Sequence, residues 1–308
     1  MLSLEAPLVA VLWQHALAHA HGVHLPPMLD AGLALTCWLI YVIDRTLDTL
    51  AHPAHALDAR HAFYLRHRRV LLAGVLPPAL LLLAWMAFFV IPEGVLWQAL
   101  GLSLLVALYL ASWPAQGAGR WRDLLFSCAG LGAILLISHM PLEAGQRLVL
   151  SVLVLVVMVL AFLRQLEIRF HMMPKATAAA LLFAMGCTTS TRFLAMPERW
   201  LEPVVECVLL ALLFACNLHG ISNREQNTTL ASWRHALRVL GTLVFALGVL
   251  WLVEFGLLES SLHATAGVVT AATVLYALVF RFRERLSPDA HRVLADLAVI
   301  APLPLVWW

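Results

Sequence analysis

Residues 29–50, LDAGLALTCWLIYVIDRTLDTL, form one largely apolar run whose last turns carry two aspartates, Asp44 and Asp48. The run is long enough to cross the hydrocarbon core of a bilayer as a helix, which takes about 20 predominantly apolar residues. Both aspartates stand where that helix leaves the membrane. The run therefore predicts a membrane helix with an acid pair at one end.

The composition of the whole chain is typical of a polytopic membrane protein. Of its 308 residues, 62% are hydrophobic and 12% are charged, and the mean hydropathy is +0.87. Soluble domains carry about 25% charged residues, so the charged fraction here is unusually low. The net charge of +2 gives no reason to expect a nucleic acid partner. The five cysteines fall in apolar runs without a CxxC pair, which indicates buried small side chains.

Eleven apolar runs are predicted to be membrane helices. Proline and glycine mark many of the breaks between them, as in IPEG, WPAQGAG and LSPDA. No soluble domain fits between the runs, so the predicted fold class is all-α, a polytopic membrane helix bundle with a single transmembrane domain over residues 1–308. The predicted spans lie near residues 5–22, 29–48, 70–91, 94–113, 122–140, 147–166, 176–195, 202–222, 236–257, 262–281 and 290–308.

The distribution of basic residues predicts the orientation. With the N-terminus in the cytoplasm and the spans alternating, all but three of the 20 Lys and Arg residues fall on the cytoplasmic side. This bias is the one that the positive-inside rule describes. The chain is therefore predicted to be an integral protein of a bacterial-type inner membrane, with its C-terminus outside and the acid pair at the cytoplasmic end of the second span. The three exceptions are Arg147, Arg192 and Arg199.

The spacing of the acid pair suggests a cation. Asp44 and Asp48 stand four residues apart, and positions i and i+4 share one face of a helix. Two like charges that close repel each other. Mg²⁺ takes oxygen ligands, often one or two carboxylates together with substrate phosphates. The alternative is a pair that is solvated at the helix end or bonded to Arg45 and Arg60.

A basic cluster follows the acid pair in the segment RHAFYLRHRR, residues 60–69. A metal–diphosphate site needs acids that hold the metal and basic side chains that neutralise the remaining charge. The same cluster is also typical of an ordinary cytoplasmic loop.

The DxxxD pair at the cytoplasmic end of the second span resembles the first Asp-rich motif of the UbiA superfamily of intramembrane prenyltransferases. Members of that family are all-helical, and two Asp-rich motifs bind a prenyl diphosphate through Mg²⁺ in a cavity that opens to the cytoplasmic side and the lipid. The family usually has Asn four residues before the first Asp, where this chain has Ile40. The resemblance implies a UbiA-like core. The interval between Asp48 and Lys175 leaves room for an extra pair of helices beyond the family's usual nine, at about 20 residues per span.

Two later stretches are similar to further parts of the family pattern. PKATAAALLFAMG, residues 174–186, resembles a lysine-led helix beside the cavity, which makes Lys175 a phosphate contact or a plain snorkelling anchor. CNLHGISNREQN, residues 216–227, resembles the second Asp-rich motif, with Asn223 and Asn227 in the Asp positions. Because both are neutral, this half-site has lost two formal charges, and its affinity for Mg²⁺ is expected to fall.

The resemblance implies a role for each matched residue. Mg²⁺ is the implied cofactor, and the implied partners are a prenyl diphosphate, a lipophilic acceptor and membrane lipid. The implied catalytic residues are Asp44, Asp48, Lys175 and His219, the implied substrate contacts are Tyr41, Arg45, Arg60 and Arg224, and the implied metal ligands are Asp44, Asp48, Asn223, Glu225 and Asn227.

Other polar side chains in the apolar runs stay open to two interpretations. His15 and His19 share a helix face, which suits a transition metal or haem, or else a partly hydrated helix end. His219 is a substrate contact or a base, or else hydrogen-bonds within the bundle. Glu206 and Glu254 form part of a polar path, or else are buried acids paired with arginine.

Three functions follow from these patterns. The first is an intramembrane prenyltransferase or a cyclase of the UbiA type. The second, suggested by the two Asn replacements, is a member that kept the fold and binds an isoprenoid or another lipid without turnover. The third is a secondary transporter, although the sequence has no paired inverted repeats that favour it. The sequence has no Walker A loop, GxGxxG fingerprint or GxSxG elbow, so the corresponding nucleotide and serine-hydrolase chemistries are not predicted.

Overall fold

All regular elements that the structure describes are helical, in agreement with the predicted all-α class. In this computed structural model the described residues are 4–51, 59–112, 147, 151, 154–155, 174–196, 201–226 and 229–307. Within these ranges, the side chains of residues 47–51, 59–62, 104, 108, 111–112, 223–226, 229–232 and 307 lie outside the description. The α-helices are α1 (Glu5–Ala20), α2 (Pro27–Ala51), α3 (Ala59–Val70), α4 (Leu76–Phe89), α5 (Glu93–Ser112), α6 (Lys175–Ala195), α7 (Leu201–Gln226), α8 (Thr229–Glu254), α9 (Ser261–Arg281) and α10 (Pro288–Ile300).

Six helical segments among the described residues are long and apolar enough to cross a membrane, so the chain is an integral membrane protein. Helix α1 has only 16 residues, which is short for a bilayer span. The predicted spans near residues 122–140 and 147–166 fall almost entirely outside the described residues, and the total of eleven stays a prediction. The six segments are Pro27–Thr46, Phe63–Phe89, Lys175–Ala195, Leu201–Ser222, Trp233–Glu254 and Ser261–Arg281.

The chain divides into two compact units. The first unit consists of Met1, Leu39–Leu82 and Trp97–Met172, and the second consists of Leu2–Trp38, Leu83–Leu96 and Met173–Trp308. The prediction of a single transmembrane domain over residues 1–308 stays a prediction.

In the first unit, α3 continues into α4 through a single π-helical stretch, Leu71–Val75. Such a bulge keeps the chain helical but rotates the side chains that follow it relative to those that precede it. Phe63 and His67 lie one turn apart on α3 with their rings 4.4 Å apart. The charged residues Arg66, Arg68 and Arg69 of the same helix are exposed.

Helix α7 is the central helix of the second unit, since it packs against α6, α8, α9 and α10. Helix α1 joins this core through Trp13, whose ring meets Phe214 of α7 edge-on at 6.0 Å. Phe183 of α6 meets the same ring at 4.8 Å. In a bilayer such close packing, rather than exclusion of water, holds helices together, because lipid tails are as apolar as leucine.

Glycines mark the two ends of the second unit. Gly22, between α1 and α2, and Gly256, between α8 and α9, both have positive φ values, of 64° and 69°, which glycine adopts without a steric penalty. Both reversals lie where α7 and α9 begin, and we call this the Gly22 end. At the opposite end, which we call the Gly220 end, α6 begins and α7 approaches its last turn.

Candidate functional site

The predicted first motif lies on the part of α2 that belongs to the first unit. Asp44 is half-buried there, and the hydroxyl of Tyr109, on α5, lies 3.5 Å from its Oδ1. The guanidinium of Arg45 lies over the ring of Tyr41, 5.0 Å from the ring centre. This contact places a cation over one face of the Tyr41 ring.

Asp48 lies one turn beyond Asp44 on the same helix, so the two positions share a face as the spacing predicts. The side chains of Asp48 and of Arg60, on α3, lie outside the described residues. What the structure adds to this motif is the hydroxyl of Tyr109, a second oxygen beside Asp44 that the sequence analysis did not consider.

The predicted later residues belong to the second unit and gather at its Gly220 end. Lys175 is the first residue of α6, after Pro174 in an extended conformation. One turn further, the hydroxyl of Thr177 lies 2.9 Å from Nε2 of His219 on α7. The interpretation of His219 as a hydrogen-bonding group within the bundle therefore agrees with the structure, and Thr177 is its partner.

The second motif continues along α7 beyond His219. Asn223 lies one turn later on the same helix, and Arg224 and Glu225 follow it. Their side chains, and the whole of Asn227, lie outside the described residues. The metal-ligand roles of Asn223, Glu225 and Asn227 and the substrate contact of Arg224 stay predictions.

A buried polar cluster at the Gly220 end was not found by the sequence analysis. His235 of α8 and Tyr276 of α9 are fully buried, with Nε2 of the histidine 3.0 Å from the tyrosine hydroxyl. A Cβ atom at Gly220 would overlap that hydroxyl, so glycine is required where α7 passes them. Asn217 of α7 donates to Asp296 of α10 over 2.8 Å. Isolated polar residues within long apolar spans are the signal that points to such a cluster.

The buried carboxylate of Glu206, at the Gly22 end, pairs with a histidine rather than with an arginine. Glu206 is 1% exposed, and its Oε1 accepts hydrogen bonds from Nε2 of His21 at 3.0 Å and from the hydroxyl of Thr265 at 3.1 Å. The predicted arginine partner is therefore wrong for Glu206. The exposed Glu254 also has a histidine partner, His263, at 3.2 Å.

The electrostatics of this pair favour a charged histidine. The hydrogen bond to Glu206 raises the pKa of His21 above the usual value, burial opposes that rise, and the negative charges of Glu206 and Glu259 add to it.

The histidines of α1 serve as contacts between helices. Nε2 of His15 lies 2.7 Å from Oδ2 of Asp30 on α2, and Gln14 donates to the other oxygen of Asp30 over 2.8 Å. Across the described ranges, no group of three or more His, Cys, Asp or Glu side chains is placed to hold a metal ion. His15 therefore has a carboxylate partner on α2, and both interpretations of His15 and His19 stay predictions.

Comparisons of this chain with family models, with curated proteins and with solved structures found no match.

Proposed function

We propose that this protein is an intramembrane prenyltransferase-like enzyme that binds a prenyl diphosphate through Mg²⁺ and transfers or cyclises the prenyl group. The single observation that carries the proposal is the carboxylate of Asp44, half-buried on a membrane helix one turn before Asp48. Acids in or beside a membrane span are functional candidates by default, because their burial is costly.

The residues present on α2 suit a magnesium ion chemically. Mg²⁺ prefers carboxylate oxygens, usually from one or two protein groups, with substrate phosphates and water completing its coordination. Asp44 and Asp48 supply two such groups, and Tyr109 places a hydroxyl 3.5 Å from Asp44. When bound, Mg²⁺ supplies positive charge that neutralises the leaving diphosphate.

The chain's own residues have defined tasks in the proposed reaction. Asp44 and Asp48 fix the metal end of the diphosphate, and Arg45 contributes positive charge as the carbon–oxygen bond of the allylic diphosphate breaks and its electron pair leaves with the diphosphate. The electron-rich ring of Tyr41 is the proposed stabiliser of the developing allylic cation. A nucleophile of the acceptor, or a double bond of the same chain, then forms the new bond and loses a proton.

The proposed architecture and topology belong to the same hypothesis. They comprise about eleven spans, a UbiA-like core of nine helices plus an extra pair, a cytoplasmic N-terminus and a location in a bacterial-type inner membrane. The six apolar helices and the clustering of basic residues in predicted cytoplasmic segments support them.

A binding protein without turnover is the second candidate, and the neutral Asn223 and Asn227 favour it. Thr177 also engages the imidazole of His219, which leaves that ring with one nitrogen for any proton transfer. In this case the acid pair retains a diphosphate lipid, but the neutral second motif lacks the charge that drives ionisation.

The experiment measures thermal stability and diphosphate release together, on the purified full-length protein with farnesyl or geranylgeranyl diphosphate. Ligand at about 100 times its Kd stabilises the folded state by about 2.7 kcal/mol. The enzyme predicts stabilisation that requires Mg²⁺ and is accompanied by release of diphosphate. Stabilisation without release, also in the presence of candidate acceptors, favours the binding protein. The absence of any response to either diphosphate contradicts both proposals.

A further inference from the structure

The C-terminal end of α1 is attached to the second unit by three side chains, His21, Glu206 and Thr265, which we call the His21 triad. His21 and Thr265 both donate to the same oxygen of Glu206, so one carboxylate joins α1, α7 and α9. The side chain of His21 is 14% exposed and that of Glu206 is 1% exposed. The only titratable group of the triad with access to solvent is therefore the histidine.

The charged groups around the triad come from three elements. Glu206 faces His21 directly from α7, and Glu259 faces it from the segment before α9. Glu202 lies one turn before Glu206 and is itself buried. Arg192, near the end of α6, donates to the main-chain carbonyl of Pro203. The two groups that act on His21 are both acids, and they favour the imidazolium form.

A polar cavity of about 320 Å³ lies beside the triad. It is lined by Ala20 and His21 on the α1 side and by Ala195, Glu259, Ser260 and Ser261 on the other. The α1 side of this cavity is held by short main-chain hydrogen bonds, with the amide of Gly22 bonded to His19 and that of Val23 bonded to Ala18. The cavity gives His21 contact with water, and it widens if this turn moves away.

A second polar contact of α1 also joins a histidine to a carboxylate. His15 lies 2.7 Å from Asp30 at the start of α2. Of the polar side-chain contacts described for α1 and the turn after it, the two that join a charged pair are therefore His15–Asp30 and His21–Glu206. Apolar packing of Trp13 and Leu17 holds the middle of the helix.

We propose that the His21 triad is a pH-sensitive contact, closed when His21 is protonated and open when it is neutral, which controls the width of the cavity at the Gly22 end. In the closed form the imidazolium donates to Glu206, and Ala20 and His21 form one side of the cavity. In the open form the buried carboxylate keeps only Thr265, and the turn around Gly22 separates from α7 and α9.

Hydrogen exchange of the full-length protein in detergent tests this proposal at residues 18–23. Exchange is measured by mass spectrometry at about pH 6 and about pH 8.5, on either side of the ordinary histidine pKa of about 6.5. Each rate is corrected for the intrinsic pH dependence of exchange. We expect the corrected rates at Gly22 and Val23 to rise by about tenfold at the higher pH, the factor that corresponds to one charge-assisted hydrogen bond.

Variants distinguish the triad from a general effect of pH. His21→Gln is expected to exchange at the same fast corrected rate at both pH values. Glu206→Gln keeps an acceptor for Thr265 and is also expected to lose the pH response. This variant serves as the test if His21→Gln fails to fold. His24→Gln, a matched change at an exposed histidine of the same segment, is expected to behave as the wild type. Corrected wild-type rates that do not change with pH, or a pH response that survives in Glu206→Gln, would overturn the proposal.

Discussion

The two ends of the second unit hold their histidines in opposite ways. At the Gly22 end, His15 and His21 contact carboxylates, and the contact of His21 raises the pKa of its ring. At the Gly220 end, His219 and His235 contact the hydroxyls of Thr177 and Tyr276, which need no charge. The same helices α7, α8 and α9 thus carry a titratable contact region at one end and a neutral, closely packed one at the other.

The largest effect is expected where the packing at the Gly220 end is tightest. In Gly220→Ala the new methyl group would overlap the Tyr276 hydroxyl and lie 2.9 Å from its ring carbon Cζ. Tyr276 is fully buried and bonded to His235, so it has no room to move aside. We expect a loss of about 3 kcal/mol or more, at the upper end of the overpacking range, measured as a lower Tm and less monodisperse protein.

The matched control for this change is Gly241→Ala on α8. Gly241 has open space around the corresponding position, so the substitution adds no contact. Alanine is favoured over glycine inside a helix by about 0.5–1 kcal/mol, and an unchanged or higher Tm is expected. Equal losses of stability in both variants would show that α7 is not closely packed against Tyr276.

A smaller effect is expected from removing one partner of the buried pair. Tyr276→Phe leaves His235 without its hydroxyl partner at a site where Nδ1 already has none. An unsatisfied buried polar group costs about 1–3 kcal/mol, which denaturation of the purified variant measures.

The double variant His235→Leu/Tyr276→Phe sharpens this test. Replacing both partners with apolar groups removes the unsatisfied atoms, so the double variant should be more stable than Tyr276→Phe alone. A double variant that is less stable than Tyr276→Phe would contradict the argument that an unpaired buried polar atom causes the loss of stability in the single variant.

The smallest effect is the pH dependence of stability at the Gly22 end. Because the pKa of His21 is raised in the folded protein, its pair with Glu206 contributes fully below the unfolded value of about 6.5 and is lost as the pH rises through the raised pKa. The wild-type Tm should therefore fall with rising pH in this window by more than the Tm of His21→Gln does. The difference corresponds to a free energy of unfolding on the order of 1.5 kcal/mol. Parallel pH profiles of the two proteins would contradict the assigned ion pair.

Local patterns in the sequence predicted the helices well. The runs near residues 176–195, 202–222 and 262–281 agree with α6, α7 and α9, because apolar composition and breaks at proline or glycine are local signals. The i, i+4 spacing of Asp44 and Asp48 likewise placed both residues on one face of α2.

The partners of the polar side chains could not be predicted in the same way. His21 and Glu206 are 185 residues apart in the chain, and the sequence around either residue does not indicate that the other is its partner. The sequence left Glu206 either as part of a polar path or as a buried acid paired with arginine, but the short connection after α1 brings a histidine to α7 instead. Gly220 shows the same limit, since its need for glycine comes from Tyr276 on a distant helix.

The most direct test of the central claim compares two aspartates on α2. Asp44→Asn removes the half-buried carboxylate of the proposed metal site, and Asp30→Asn makes the same change at the other end of the helix. Diphosphate release from geranylgeranyl diphosphate with Mg²⁺ is measured for both, with Tm values to confirm folding. We predict that Asp44→Asn loses about 100-fold or more in rate, as when a group that stabilises developing charge is removed, and that Asp30→Asn keeps the wild-type rate. Release by Asp44→Asn at the wild-type rate would contradict the account.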